Sequence, residues 1–187
     1  MVEEGYESFD SEAHKARLGK GAVLIARDME DPNFSSTVVL LCEFGLEGSY
    51  GLVLNRPSHM PLTEVFEEVP ELELKRDQTR RIYIGGPVQP GDLQIIQIGQ
   101  SVPGSIKLAE DVFLGGAWTD LDSILSHDPA NIRLFLGYSG WGVGQLEEEV
   151  EAGAWEVWKV EVKKLLLAPE EFWLGGKADL DRFLPSS

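Results

Sequence analysis

The stretch FLGYSGWGVGQLEEEVEAGAW, residues 135–155, holds the local signals that decide how this chain folds. It continues the apolar run NIRLFLGY, which reads as a strand. It then turns at closely spaced glycines and enters a helix near 144–152, where Leu146 and Val150 are four apart on one face. AWEVWKVEV (154–162) alternates again and returns as a strand. A strand, a glycine-rich passage, a short helix and a returning strand within so few residues describe an α+β unit.

Working outward, short strand candidates recur. AVLIA (22–26), TVVLLCE (37–43) and SYGLVLN (49–55) are β-branched or aliphatic, and FGLEG between the last two is a glycine-bearing hairpin turn. RRIYIGGPV (80–88), DLQIIQIG (92–99) and SIKLAEDVFLGG (105–116) follow, each ended by Gly or Pro. Two helices are predicted between them. LTEVFEEV (62–69) is acidic at its start and closed by Pro70, and WTDLDSILSHDP (118–129) has Thr119 as cap with Leu121, Ile124 and Leu125 on one face. A third, short helix should start at Pro169. Asp31-Pro32 marks RDMEDPNFSS as a structured loop. The long helices of a doubly wound fold are missing, which favours a mixed, largely antiparallel sheet. Residues 1–19 are polar and aperiodic and read as a flexible tail, and residues 20–187 as one domain. YIGG, FLGG and WLGG share a pattern, but their spacing is uneven, so they mark similar exits and no internal repeat.

Composition narrows the function classes. The chain has 32 acidic and 16 basic side chains, a formal charge of −16, in 187 residues that are 43% apolar. That charge repels nucleic acid and anionic membrane surfaces within a Debye length of ~8 Å. The single cysteine, Cys42, forms no intrachain disulfide, the N-terminus lacks a signal-like apolar segment, and no apolar run approaches a membrane span, so a cytoplasmic location is expected.

DPNFSSTVVLLCE, GLVLNRP, GGPV and FLGYSGWGVGQLEEE occur in this order, and together they resemble the AlgH/YqgE family of bacterial proteins over about residues 19–155. The sequence departs from the family pattern at Arg27-Asp28, Phe44 and Val143. The resemblance implies an α+β fold whose bifurcated β-sheet curls into a pseudo-barrel with several short helices packed around it. It also implies a compact cytosolic protein without an established activity, and through the AlgH label a proposed link to transcriptional control of alginate synthesis.

Gly137-Tyr138-Ser139-Gly140-Trp141 departs from a nucleophile elbow, because Trp141 stands where the last glycine belongs and His14, His59 and His127 all precede Ser139. Gly140, Gly142 and Gly144 precede a helix, yet Glu147 occupies the last glycine position of a phosphate fingerprint, and Glu147, Glu148 and Glu149 oppose an anion. No cofactor motif is present. Glu147, Glu148 and Glu151 share a helix face, where like charges cost ~0.2–0.5 kcal/mol per pair, so they are candidate cation ligands set against a solvated acidic face. Arg56 offers a planar fork for a carboxylate or phosphate, and Asn55-Arg56-Pro57 therefore becomes a candidate binding loop, with Gly85-Gly86-Pro87, Tyr138, Trp141 and Gln145 completing the set. Cys42 has the parity of an inert buried thiol, His59 stands alone, and KRDQTRR (75–81) is one basic patch without a DNA-reading motif. The reading is a non-enzymatic binding or regulatory module for a protein or small anionic ligand. The alternatives are an enzyme of undefined class, of which a divalent-cation-dependent one is a version, and, ranked below it, a transcriptional regulator acting through DNA.

Overall fold

Strand β8 (Ile132–Trp141) organises the molecule, because two different strands pair in turn with the same one of its edges. The computed structural model describes residues 8–27, 37–59, 82–115, 128–168 and 180–185. In chain order the other strands are β1 (Val23–Ala26), β2 (Val38–Gly45), β3 (Gly48–Val53), β4 (Ile82–Ile84), β5 (Val88–Ile98), β6 (Ile106–Ala109), β7 (Val112–Leu114) and β9 (Trp155–Trp158). The helices are α1 (Ser11–Ala16), α2 (Gln145–Glu151) and α3 (Val162–Leu166), with 3-10 turns at Pro129–Asn131 and Leu180–Phe183. The first half of β8 lies between β5, antiparallel, and β4, parallel; its last residues, Ser139–Trp141, leave β4 and pair with β3. The sheet therefore forks at β8. Its main path runs β6-β7-β5-β8-β3-β2-β1-β9, and every pairing along it is antiparallel.

Alternation along the strands divides the apolar side chains between two cores. Val23 of β1 and Val38, Leu40 and Cys42 of β2 point inward with Leu52, Ile96, Leu108, Val112 and Phe135. Leu24, Ala26, Val39 and Leu41 point outward and are covered by Leu146 and Val150 of α2 with Trp141 and Trp155. Both faces of β1 and β2 are thus buried, which explains why AVLIA and TVVLLC are continuous apolar runs. The inner core lies inside the curl of the sheet, with α3 and the Leu180–Phe183 turn packed into it through Leu165, Leu166 and Phe183.

The fold is α+β with a mostly antiparallel sheet, as the residue pattern predicts, and the sheet is bifurcated, as the resemblance implies. Among the described residues no pairing joins the ends of the path, β6 and β9, so the curl is not a closed barrel. The two ends nevertheless approach: a Cβ added at Gly21, just before β1, would lie 2.7 Å from the Leu108 carbonyl oxygen of β6.

Three stretches differ from expectation. Residues 11–16 of the anticipated flexible tail form α1, capped by Asp10 Oδ1 accepting from the Ala13 amide at 3.1 Å and tied to β9 by the Val157 amide donating to His14 Nδ1 at 2.9 Å. Polarity alone hid this element, since what holds it are distant contacts from His14 and Arg17 to Val157 and from Lys15 to Glu151. SIKLAEDVFLGG divides into β6 and β7 at a turn where Asp111 has φ 55. AWEVWKVEV ends as a strand at Trp158 and becomes α3, because Val162, Leu165 and Leu166 bury one helical face in the inner core. The predicted helices at 62–69 and from Pro169, nearly all of that at 118–129, the 28–36 loop, the 75–80 part of the basic patch with Arg81, and His127 lie outside the described residues.

The docking of α2 can be checked by unfolding in urea. Leu146 is wholly buried, so Leu146→Ala should cost about 2–5 kcal/mol, whereas Glu148→Ala on the exposed face should change stability by no more than ~0.5 kcal/mol.

Candidate functional site

The fork in the sheet brings together three segments that are far apart in the chain. Gly85 follows β4 in the crotch between β3 and β8. Its amide donates to the Leu136 carbonyl at 2.8 Å, and its carbonyl accepts from the Val53 amide at 2.9 Å and from Ser139 Oγ at 3.2 Å. A Cβ added at Gly86 would overlap the Tyr138 carbonyl group, and Gly137 has φ 69, so these glycines are set by close backbone crossing and by a left-handed turn. Gly85 and Gly86 are buried, and Pro87 is exposed beside them.

Asn55-Arg56-Pro57 runs along the outer edge of β4. The Ile84 amide donates to the Arg56 carbonyl at 2.7 Å, Pro57 forms a bridge with Tyr83, and the Ser58 amide donates to the Ile82 carbonyl at 2.7 Å. Asn55 ties this loop back to the sheet, its Oδ1 accepting from the Val38 amide at 3.0 Å. Arg56 is half-buried, as is Tyr138 at the other arm of the fork. Tyr138 meets Tyr50 of β3 edge to face, with ring centroids 5.7 Å apart. Burial raises the Tyr50 pKa to about 12, with Cys42, Glu43 and Tyr138 adding in the same direction.

Trp141 and Gln145 have a different place. Trp141 is only 9% exposed and belongs to the outer core, edge to face with Trp155 at 6.1 Å. Glu149 Oε2 accepts from both indoles, Trp141 Nε1 at 2.8 Å and Trp155 Nε1 at 2.9 Å, while Glu149 Oε1 accepts from Gln145 Nε2 at 3.2 Å. Gln145 Oε1 in turn accepts from the Gly142 amide at 3.0 Å. Trp141 is therefore an anchor of the core and not part of an exposed surface, and Gln145 secures the start of α2. Glu149, which the sequence presents only as an acid opposing an anion, is the shared acceptor of both indoles. Its signal was its position three residues after Leu146, at the border of the buried face, between two tryptophans whose N–H groups need acceptors when buried.

The remaining candidates separate. Glu151 lies 3.7 Å from Lys15 of α1, and among the described residues no three His, Cys, Asp or Glu side chains gather as a metal site, so Glu147, Glu148 and Glu151 do not converge. Ser139 is a tie within the fork. Cys42 is buried with its thiol toward the Leu40 carbonyl at 3.6 Å, and burial pushes its pKa far up, the opposite of an activated thiolate. His59 is exposed on the loop after Arg56. No helix among the described residues is long and apolar enough to cross a membrane.

The chain is a small α+β domain built on a forked, mostly antiparallel sheet, with Asn-Arg-Pro and Gly-Gly-Pro segments meeting at its branch. The model of the AlgH-like family, DUF179, matches residues 22–176, and the chain belongs to that family. A UPF0301 protein of Chlorobium limicola is 38% identical over 149 residues, 78% of this chain and 76% of the relative. Another from Anaeromyxobacter dehalogenans is 33% identical, covering 86% of this chain and 94% of the relative. The solution structure of the AlgH protein from Pseudomonas aeruginosa superposes with a TM-score of 0.69 at 37% identity, over 81% of this chain and 83% of that one. Protein DIP2367 from Corynebacterium diphtheriae gives 0.58 at 26% identity, over 80% and 82%.

Two measurements test the local physics. Glu149→Ala should leave two indole N–H groups without their acceptor and cost roughly 1–3 kcal/mol for each one left unsatisfied, read by chemical unfolding together with tryptophan emission. Tyr50, raised from 10.0 to about 12, favours the neutral phenol in the folded state. Its contribution to stability is therefore complete below pH 10 and should fade as pH rises toward about 12, while in Tyr50→Phe the tyrosinate absorbance step near the upper end disappears.

Proposed function

We propose that this protein is a binding or regulatory module that acts without chemistry of its own, and that the sheet fork is its contact site. The recognised group is a carboxylate or phosphate, presented by a protein or by a small ligand to Arg56. The convergence of Asn55-Arg56-Pro57, Gly85-Gly86-Pro87 and Tyr138 at one branch point carries this reading. The backbone of Arg56 is pinned by β4, so its side chain springs from a fixed point beside the fork, and its planar guanidinium suits a carboxylate or phosphate. Pro87 and the 41% exposed Ile84 supply an uncharged border on which a partner can rest.

The formal charge of −16 weighs against a nucleic-acid partner, because binding DNA relies on releasing counterions from phosphates neutralised by basic side chains. A cytosolic regulator working through protein or small-molecule contacts fits that charge.

Affinity capture from extract of the native cell tests the proposal with three variants. Arg56→Ala and Tyr138→Ala should lose the species retained by the wild type while remaining folded, each with a cooperative unfolding transition. Trp141→Ala, a core truncation, should instead cost roughly 3–5 kcal/mol. Retention of the same species by both the Arg56 and Tyr138 variants overturns the assignment.

A further inference from the structure

The acidic surface is interrupted where the two ends of the sheet come together. One concavity of about 370 Å³ lies between the 17–22 link, β6 and the 159–162 link, and a second of about 620 Å³ lies between β6 and α3. They share Ala109, Val160 and Val162 as wall residues, so the two adjoin as a trough in two parts along the unpaired seam. Its floor is apolar, with Ala22, Leu108 and Val162 nearly fully buried. Its first part is bordered by Arg17, Lys20 and Lys159 and by no carboxylate among the described residues.

These cations differ from their neighbours. In the second part Lys163 is paired with Asp111 at 2.8 Å and Lys164 with Glu161 at 3.7 Å, and Lys107 nearby is 3.8 Å from Glu110. Lys20 and Lys159 have no ion-pair partner among the described residues, and Arg17 Nη1 reaches only His14 Nδ1 at 3.3 Å and the Val157 carbonyl at 3.5 Å. On a chain with twice as many acids as bases, 32 against 16, three cations without carboxylate partners at one mouth are a local reversal of sign. Such a reversal draws an anion to this mouth and away from the rest of the surface.

We propose that this trough binds an amphiphilic anion. A single carboxylate or phosphate head is held by Arg17, Lys20 and Lys159, and an unbranched apolar chain lies over Val160 and Val162 toward Leu167. An apolar floor with carboxylate-free cations at one end suits such a ligand; at the other end Glu110, Glu161, Lys163 and Lys164 form a rim in which each charge has an opposite partner nearby, and each part has a volume in the range of small-ligand pockets, roughly 300–1,000 Å³. The site is independent of the sheet fork and shares no residue with it.

Titration calorimetry with decanoate and decyl phosphate, both below their micelle thresholds, tests this. Each should bind saturably at one site, and 1-decanol and inorganic phosphate should each bind at least about tenfold more weakly. Lys20→Gln with Lys159→Gln should weaken decanoate by roughly tenfold without lowering the melting temperature, as both side chains are exposed. Gly19 lines the same mouth, and a Cβ there meets nothing within 4 Å, so Gly19→Glu is compatible with the fold and should abolish binding by adding a like charge. No saturable binding of either amphiphile overturns the proposal, as does undiminished binding by the double lysine variant or by Gly19→Glu. Equal affinity for decanol, for inorganic phosphate or for a short oligoglutamate also overturns it, since a neutral chain, a bare anion or an acidic peptide would then suffice.

Discussion

The architecture depends on how the backbone of Gly85 is satisfied where β3 and β8 part. A sheet that forks exposes amides and carbonyls on two diverging strands, and each such group left buried without a partner costs about 1–3 kcal/mol. Gly85 answers both arms, donating to Leu136 of β8 and accepting from Val53 of β3, with Ser139 adding a third contact. No side chain at this point is compatible with the distance between the strands, because an added Cβ would run into the Gly137 carbonyl. The Gly-Gly-Pro and Gly-Tyr-Ser-Gly segments are thus two halves of one joint, and the loop carrying Arg56 is the strip of chain that lies along it.

The joint also explains why the sheet has an inside and an outside. Once β3 takes over from β4 along β8, strands β3, β2, β1 and β9 continue as a wing whose second face needs its own cover. Helix α2 supplies it, and Glu149 fixes its orientation by binding the indoles of Trp141 and Trp155, one from each flanking strand. One carboxylate satisfies two buried N–H donors, so the pair of tryptophans can pack into the outer core without stranded polar atoms. The cluster of acids in this helix is consequently mixed in purpose: Glu149 is structural, Glu151 meets Lys15 of α1, and Glu148 faces solvent.

The sequence was most legible where one physical cause acted locally. Continuous apolar runs at 22–26 and 38–42 reported strands buried on both faces, and the 3.6-residue period at Leu146 and Val150 reported α2. It was least legible where the cause was distant. Helix α1 is held by His14 against Val157, and α3 exists because the inner core accepts Val162, Leu165 and Leu166; neither fact is written in the local pattern. The candidate site was legible as motifs but not as geometry. Asn55-Arg56-Pro57 and Gly85-Gly86-Pro87 stood out as tripeptides, yet their meeting at β8 is a property of the fork. Trp141 looked like a contact residue because a tryptophan among glycines gives no sign of the carboxylate eight residues later that buries it.

The seam between β6 and β9 follows from the same constraints. A strand added there would close the curl, but β6 and β9 are each only four residues long, and Gly21 brings the chain against Leu108 at a point where no ladder forms. Helix α3 enters instead, burying its apolar face in the inner core while Lys163 and Lys164 stay at the surface and pair with acids. Open strand edges are a liability in a soluble protein, and charged side chains at the edge are a common defence against pairing with another chain. Here Arg17, Lys20 and Lys159 flank one end of the seam without a carboxylate, while Lys163 and Lys164 at the other are paired with Asp111 and Glu161, so a second copy, acidic in net charge, would be drawn toward the first end and not repelled by it. Defence against self-association therefore does not account for the sign of the charge, whereas attraction of a small anion into the trough does.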